Sequence, residues 1–238
     1  MPDAICVLTS GGLDSAVLVA TLARRREVHP LYVRSGLNWE RAERTILTRL
    51  LAALRRRGAR IAPLAEATVP VATLYGRRHW SISRKRVPGA RAGYASNYLP
   101  GRNLLLVTVA AVYCERTGIR EVALGLLRGN PFPDATPRFL RDVGRVAGLA
   151  LGTRLVVRAP FRTLSKAQVV RRGRDLPLAL TLSCARPRGA QHCGRCTKCA
   201  ERRSAFAHAG IADPTDYGRN QKGRARGASG VRQGGPSA

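Results

Sequence analysis

The sequence predicts an α/β fold of the Rossmann-like kind, in which helices cover a parallel sheet, followed by a cysteine-rich segment. Short apolar, β-rich runs alternate with stretches of helical periodicity up to about residue 174. Such alternation favours parallel strands joined by right-handed crossovers. Beyond it, four of the six cysteines fall between residues 184 and 199, and clustering of this kind indicates a metal site.

The first strand–helix pair has the clearest signal. Residues 4–9 form an apolar, β-rich run that is broken by Ser10-Gly11-Gly12. A helical pattern then continues to about Arg26. The following "VHPLYV" at 28–33 predicts the second strand.

The middle of the chain contains one long aperiodic stretch. A helix is predicted over 38–57, where apolar residues recur at helical spacing, and "ARIAPLA" predicts a strand over 59–65. Residues 76–102 have aromatic anchors, several arginines and no period, which is typical of a functional or mobile loop. The Pro100-Gly101 pair excludes an earlier helix start, so the next helix is predicted from Asn103 to Arg116.

The remaining elements of the sheet follow at short intervals. "REVALGL" predicts a buried strand over 120–126, and a proline-rich turn over 130–137 leads into a helix near 137–149. The last strand is predicted over 153–158. A helix over about 164–174 begins at Leu164-Ser165-Lys166 and completes the α/β part.

The predicted organisation is an ATP-binding α/β unit over 1–180, a metal-binding segment over 181–217 packed on it, and a basic tail over 218–238. The tail has almost no apolar residues and should be disordered. The sequence lacks a secretory signal pattern and a run of about 18 apolar residues. A cytoplasmic enzyme without a membrane partner is therefore expected, and a homodimer is left open.

The charge of +28 raises the question of nucleic-acid binding. Only four of the 42 basic residues are lysine, and the arginines are spread along the whole chain beside abundant alanine. This distribution indicates a coding bias as much as a binding face. Nucleic-acid binding stays open but is not favoured, and a general attraction for anionic ligands is sufficient.

The stretch Ser10-Gly11-Gly12-Leu13-Asp14-Ser15 lies between a strand and a helix, where phosphate loops occur. Glycines let the backbone approach an anion, and successive amides at a helix N-terminus donate hydrogen bonds to it. An ordinary strand-to-helix turn is the alternative. The complete S-G-G-x-D-S pattern resembles the pyrophosphate loop of the ATP pyrophosphatase superfamily, which implies a nucleotide site.

The cysteine-rich segment has the spacing C-x₈-C-x₂-C-x₂-C, formed by Cys184, Cys193, Cys196 and Cys199. Four thiolates at such spacings can surround one tetrahedral ion, and a closed set favours structural Zn²⁺. An iron–sulfur cluster or redox cysteines remain alternatives, and His192 could compete as a ligand. The other two cysteines, Cys6 and Cys114, lie in apolar segments and are expected to be core thiols.

Taken together, the motifs resemble one family. "SGGLDS" at 10–15, "PGRN" at 100–103 and "LSCARPRGAQHCGRCTKCAERRSAF" at 182–206 are similar to segments of the 7-cyano-7-deazaguanine synthase family of the queuosine pathway. "FPDATPRF" at 132–139 resembles the family's tyrosine–proline–aspartate segment. The likeness extends over about residues 4–217. It implies an adenine-nucleotide alpha hydrolase-like domain that makes a nitrile from 7-carboxy-7-deazaguanine, ammonia and ATP.

The resemblance also implies roles for individual residues. The four clustered cysteines would hold Zn²⁺, and Asp14 would hold Mg²⁺. Arg102 and Lys166 would contact phosphate or carboxylate groups, whereas Asn103 would either cap its helix or belong to the site. Pyrophosphate would be held by the loop residues Ser10, Gly11, Gly12, Leu13, Asp14 and Ser15.

Two stretches depart from the family pattern. In "LLRGNPFPDATPR" at 126–138 the glutamate of the family's Glu-Thr pair is absent, Phe132 stands for tyrosine and Ala135 for cysteine. The stretch at 33–43 keeps Glu43 but lacks the family's Tyr-Gly-Gln. These departures leave open a divergent relative that activates another acceptor, such as a protein or a molecule in a defence system. A tRNA-modifying enzyme of the same superfamily is a further alternative, but it would need a cysteine near the ATP loop.

Overall fold

A computed structural model describes residues 3–218, and within them five parallel strands form one sheet. The strands are β1 (Ala4–Leu8), β2 (Glu27–Arg34), β3 (Ala65–Thr68), β4 (Glu121–Ala123) and β5 (Val156–Arg158). Their order across the sheet is β3-β2-β1-β4-β5. The chain therefore adds strands to one side of β1 and then to the other. The predicted α/β class with a parallel sheet is confirmed.

Eight helices connect and flank these strands in the described part of the chain: α1 (Leu13–Leu22), α2 (Glu40–Arg56), α3 (Ala72–Tyr75), α4 (Trp80–Ser83), α5 (Arg102–Thr117), α6 (Pro137–Ala150), α7 (Lys166–Arg172) and α8 (Thr197–Ala209). Short 3₁₀ turns occupy Tyr94–Asn97, Pro133–Ala135 and Leu178–Leu180. None of the described helices combines the length and apolarity that a membrane span requires.

The central strand β1 is buried on both faces of the sheet. Its side chains alternate between the two faces and contribute to a core on each side. Ile5 and Val7 of β1 pack against α1, α2, α7 and α8, whereas Cys6 and Leu8 pack against α5 and α6. Burial of an aliphatic side chain of this size stabilises the fold by about 1.5–3 kcal/mol. Cys6 and Cys114 are fully buried in the second of these cores, as predicted.

The element boundaries differ from the predicted ones mainly at three places. The third strand lies at Ala65–Thr68 and not at 59–65, where only Ile61 forms an isolated bridge with Val28. Pro63 has no amide to donate within the predicted range. Helix α1 ends at Leu22, short of Arg26, whose guanidinium instead bonds Glu121 and the carbonyl of Ala4.

The third difference is helix α8, which the sequence did not indicate. It starts directly after Cys196, its N-cap, and contains Cys199. The prediction of a long aperiodic loop over 76–102 holds except for α4 and the turn at Tyr94–Asn97. The predicted tail lies outside the described residues except for Gly218.

Candidate active site

A cleft of about 200 Å³ opens at the carboxyl ends of β1, β2 and β4. This is where the strand order reverses, and open α/β sheets bind ligands in that crevice. Its walls come from the loop 10–15, the first turns of α2, α5, α7 and α8, and the residues around Ser183. The sheet topology therefore brings residues from both ends of the chain to one place.

The loop between β1 and α1 is held by its own serines. The Ser10 amide donates to Ser15 Oγ at 3.3 Å, and Ser15 Oγ donates to the carbonyl of Gly12 at 3.1 Å. Gly11 has a φ of +69°, and a Cβ there would lie 3.1 Å from the carbonyl oxygen of Glu43. Glycine at this position is therefore required both by backbone conformation and by the close packing of α2. The result is a tight turn that ends at a helix N-terminus facing the cleft.

A second glycine, which sequence reasoning missed, supports this turn from the neighbouring strand. A Cβ on Gly125, just beyond β4, would lie 3.3 Å from both the carbonyl carbon of Asp14 and the nitrogen of Ser15. The backbone after β4 thus approaches the loop as closely as the absence of a side chain allows. The position of the loop is defined on both sides.

Lys166 and Asp14 lie together, as two of the predicted catalytic residues should. Lys166 Nζ donates to Asp14 Oδ2 at 3.1 Å and to Glu201 Oε1 at 3.0 Å. Burial lowers the pKa of Lys166, but the charges of Asp14 and Glu201 outweigh it and hold that pKa above its ordinary value. The amine is therefore a permanent cation next to the loop. Asp14 Oδ1 is buried and has no hydrogen-bond partner among the described residues.

Arg102 lines the same cleft from the start of α5, beside a buried carboxyl group. Its Nε is buried without a hydrogen-bond partner among the described residues. Glu43 accepts a 2.9 Å hydrogen bond from Tyr32 and is 9% exposed. Burial raises the pKa of Glu43 to about 7, against the opposing effects of Arg102 and the Tyr32 hydrogen bond. Burial and the charge of Arg102 lower the pKa of Lys198, which faces the same space.

Asn103 is not the N-cap of its helix, since Gly101 occupies that position. The cap interaction comes from Asp134, whose Oδ2 accepts the Asn103 amide at 2.8 Å. The Asn103 side chain donates back to the Asp134 carbonyl at 3.0 Å. This pairing joins the segments 100–103 and 132–139 and fixes the start of α5 at the cleft.

The altered residue Phe132 lies in an aromatic group beside the cleft. Its ring stacks on Tyr94 with centroids 5.4 Å apart and meets Tyr98 at 4.9 Å. Burial and the charge of Glu201 raise the pKa of Tyr94 to about 12, so its hydroxyl stays protonated at neutral pH. The three rings pack together near the charged residues of the cleft.

The four predicted metal ligands converge. The Sγ atoms of Cys184, Cys193, Cys196 and Cys199 all lie within 4.8 Å of one another. The Cys196–Cys199 separation is 3.5 Å and the Cys193–Cys199 separation is 3.9 Å, close to the ~3.8 Å that tetrahedral geometry with zinc–sulfur bonds of about 2.3 Å requires. Backbone amides of Ala185, Arg186, Cys193 and Arg195 point at these sulfurs. The cluster could hold one metal ion.

His192 is not part of this set. It is buried, and its Nε2 accepts the amide of Ser183 at 2.9 Å. Burial, reinforced by Arg202, lowers its pKa to about 4, which keeps the ring neutral and able to accept that bond. His192 therefore holds the backbone that lines the cleft.

The cysteine-rich segment is fastened to the cleft and to the loop 76–102. The Leu182 amide donates to the Gly11 carbonyl at 2.8 Å. On its other side Cys196 forms an isolated bridge with Gly89, and the Thr197 amide donates to the carbonyl of Pro88 at 3.1 Å. The cysteine-rich segment thus contacts both the loop 10–15, through Leu182, and the loop 76–102, through Cys196 and Thr197.

The family model described as queuosine biosynthesis protein QueC matches residues 4–210.

The chain belongs to the QueC family.

Among its relatives, the 7-cyano-7-deazaguanine synthase of Anaeromyxobacter dehalogenans is 34% identical over 89% of this chain and 94% of that protein. The enzyme of the same name from Thiobacillus denitrificans is 32% identical over 92% of this chain and 100% of that protein. The departures at 33–43 and 126–138 therefore occur within a chain that matches the family over almost its whole length.

Solved structures give more distant likenesses. A predicted subunit of tRNA methyltransferase from Methanocaldococcus jannaschii aligns with a TM-score of 0.45 and 15% identity, over 70% of this chain and 72% of that one. The U34-tRNA thiolase NcsA from Methanococcus maripaludis aligns with a TM-score of 0.47 and 10% identity, over 87% and 67% of the two chains.

The predicted site residues of this QueC family member line the cleft or belong to the cysteine cluster, except Gly11, which packs against α2; their roles remain predictions. The cleft also contains residues that were not predicted as site residues, among them Glu43, Gly125, Lys198 and Glu201. Lys198 and Glu201 are three residues apart and share a helix face. Recognising a helix after Cys196 would have identified both. No sequence signal distinguishes Gly125 from the other glycines.

Proposed function

We propose that this chain is an ATP-dependent ligase that converts 7-carboxy-7-deazaguanine and ammonia into 7-cyano-7-deazaguanine. The observation that carries the proposal is the match to the QueC family over residues 4–210, together with relatives named 7-cyano-7-deazaguanine synthase at 32–34% identity. The cleft supports it, because a phosphate-loop turn and three cations face one space. A carboxylate is a poor electrophile, and ATP turns one of its oxygens into a leaving group.

The loop residues Ser10–Ser15 are proposed to bind the pyrophosphate part of ATP through their amides. Lys166 and Arg102 would stabilise negative charge on the phosphates or on the activated carboxyl group. The buried Asp14 Oδ1, without a partner among the described residues, suits a hard cation such as Mg²⁺. When bound there, Mg²⁺ would neutralise phosphate charge, while Lys166 keeps the other oxygen of Asp14 fixed.

Zn²⁺ is the ion proposed for the cysteine cluster. Four sulfurs at tetrahedral separations, with amides directed at them, support a closed structural site. Its role would be to hold Leu182 and Ser183 against the loop 10–15. Elemental analysis of the purified protein distinguishes one zinc per chain from iron with inorganic sulfide.

Transfer of sulfur to tRNA is disfavoured by the position of the cysteines. Cys6 and Cys114 are fully buried in the core, and Cys184, which lines the cleft, belongs to the metal cluster. None of the six is therefore free to carry sulfur at the loop. Phe132, which packs on Tyr94 and Tyr98, is one of the departures from the family pattern, so an altered acceptor would be expected to contact this aromatic group.

The decisive experiment is turnover with mass spectrometry of the deazapurine and of the nucleotide products. Zinc-loaded protein is mixed with Mg·ATP, ammonium and 7-carboxy-7-deazaguanine, beside Asp14→Asn and the matched Asp175→Asn, which alters an exposed carboxylate paired with Arg174. Nitrile is expected from wild type and Asp175→Asn and not from Asp14→Asn. Cleavage of ATP without nitrile would refute this acceptor and direct the search to another carboxyl compound.

A further inference from the structure

Glu43 is a buried carboxyl group that faces the cleft without a role in the site described so far. It lies in the first turn of α2, and its own carbonyl oxygen packs against Gly11 of the phosphate loop. Its side chain lines the cleft and is 9% exposed. The carboxyl is therefore positioned next to the place where phosphate groups and the reacting carbon would meet.

Only one of the two oxygens of the Glu43 carboxyl group accepts a hydrogen bond from the described part of the protein. Oε2 accepts the Tyr32 hydroxyl, whereas Oε1 has no hydrogen bond among the described residues. No cation of the described chain lies within 4.0 Å of Glu43, although Arg102 and Lys198 share the cleft. Oε1 is open to the cleft, where it can contact a ligand. Such a group in a cleft indicates a ligand.

We infer that Glu43 binds ammonium in the cleft and accepts the proton that turns it into the nucleophile ammonia. The inference rests on the proposed function. Ammonium gives one proton to the free carboxylate oxygen, and the nitrogen lone pair then forms a bond to the activated acyl carbon. The bond from that carbon to the leaving oxygen breaks, and the leaving group keeps the electron pair. The second proton of the new amide nitrogen passes to the leaving group or to solvent.

The chemistry of the cleft favours a cation that carries its own protons. A carboxylate repels phosphate, so Glu43 does not bind the phosphates of ATP directly. Reading the guanine-like edge of the deazapurine would use both carboxyl oxygens, and that edge points away from the reacting carboxyl group. Ammonium fits one free oxygen and needs to be close to the reacting carbon.

The surroundings also make Glu43 a competent base. The groups that face it are Tyr32 of β2, Glu40 of α2, Arg102 of α5 and Lys198 of α8. Burial dominates over these neighbours and raises the pKa of Glu43 to about 7. A base whose pKa lies near the working pH is the most effective one for proton transfer.

The test compares two nucleophiles in Glu43→Gln. Glutamine keeps the shape and can still accept from Tyr32, but it cannot take a proton. Hydroxylamine is largely unprotonated at neutral pH, whereas ammonia is almost all ammonium. Glu43→Gln should therefore lose about a hundredfold in kcat/KM for ammonium, while hydroxamate formation and the KM for the deazapurine stay as in wild type. Glu66→Gln, which alters a carboxylate paired with Arg44 outside the cleft, should change neither reaction.

Glu43→Asp is a second variant, in which the carboxyl base is kept but lies one methylene further from the cleft. It should retain part of the ammonium reaction that Glu43→Gln loses. Equal loss of both nucleophiles in Glu43→Gln would overturn the assignment and leave Glu43 a structural residue. A raised KM for the deazapurine with an unchanged KM for ammonium would also overturn it, in favour of substrate reading. If wild type forms neither nitrile nor hydroxamate, the proposed function itself fails, and the ammonium site with it.

Discussion

Replacement of Lys166 by methionine tests the ion cluster beside the loop 10–15. Lys166 Nζ lies 3.1 Å from an Asp14 oxygen and 3.0 Å from a Glu201 oxygen, and the three side chains are 17%, 24% and 28% exposed. Methionine keeps most of the length of the side chain and removes the charge. Two carboxylates then face each other without the cation between them.

The size of the effect follows from these distances. Since both oxygens lie about 3 Å from the same nitrogen, they are at most about 6 Å apart, and their repulsion at an effective dielectric constant of about 20 is roughly 3 kcal/mol. Removing one partner of a buried pair costs about 3–5 kcal/mol, and partial exposure puts this site near the lower end. A loss of roughly 3 kcal/mol corresponds to a decrease in Tm of about 6–12 °C for a domain of this size.

The assay is thermal and urea unfolding of Lys166→Met, Glu201→Gln, the double variant, and Lys85→Met as a control at an exposed lysine. Because Glu201→Gln removes one of the two repelling charges, the double variant should be more stable than Lys166→Met alone. A coupling free energy of more than about 1 kcal/mol is expected for groups in direct contact. Lys166→Met with wild-type stability, or strictly additive losses in the double variant, would refute the electrostatic account.

Three further changes have defined outcomes. Gly125→Ala places a Cβ 3.3 Å from the loop backbone and should raise the KM for ATP about tenfold, from an overpacking cost of about 1–3 kcal/mol. Gly89→Ala, with open space around the new Cβ, is the control. An unchanged KM in Gly125→Ala would contradict the close approach. Hydrogen bonds from Arg158 hold the pKa of Glu121 at about 2, below its ordinary 4.5, so its stabilisation is present above that ordinary value and is lost as the pH falls towards 2. Glu121→Gln should thus cost roughly 1–2 kcal/mol at pH 7 after allowance for screening, and urea unfolding that shows the same difference at about pH 2 would exclude this cause. Cys196→Ser, or metal removal by a chelator, should increase hydrogen exchange in residues 88–97 and leave β1 protected, whereas unchanged exchange would show that the cluster does not order this loop.

The sequence predicted the elements that have strong local patterns. Apolar runs identified β1 and β2, and helical spacing identified the buried face of α2, since these patterns report burial directly. The third strand was misplaced because 59–65 is apolar yet contains Pro63, and pairing with β2 selects residues 65–68. Local composition does not encode which of two adjacent stretches meets a neighbouring strand.

The site was predicted where chemistry follows from a motif and missed where it follows from tertiary contact. The pattern of the loop 10–15 predicts a tight turn before a helix, and the spacing of the four cysteines predicts that their sulfurs converge. The Lys166–Glu201 ion pair and the close contact of Gly125 with the backbone of Asp14 and Ser15 join distant parts of the chain, so no local sequence pattern predicts them. Asn103 shows the same limit, because its cap comes from Asp134 on another segment.

The hydrogen bond from Leu182 to Gly11 links a part of the chain made early in synthesis to one made late. On the ribosome the phosphate loop emerges first, whereas Ser183, Lys198 and Glu201, which form its opposite wall, emerge after nearly all of the described residues. A nascent chain therefore has the loop 10–15 before it has the opposite wall of the cleft. If the proposed Zn²⁺ holds Leu182 and Ser183 in place, a chain that has not acquired it would keep its sheet and lack that wall of the cleft. Metal supply would then determine how many working molecules exist and leave the rate of each one unchanged.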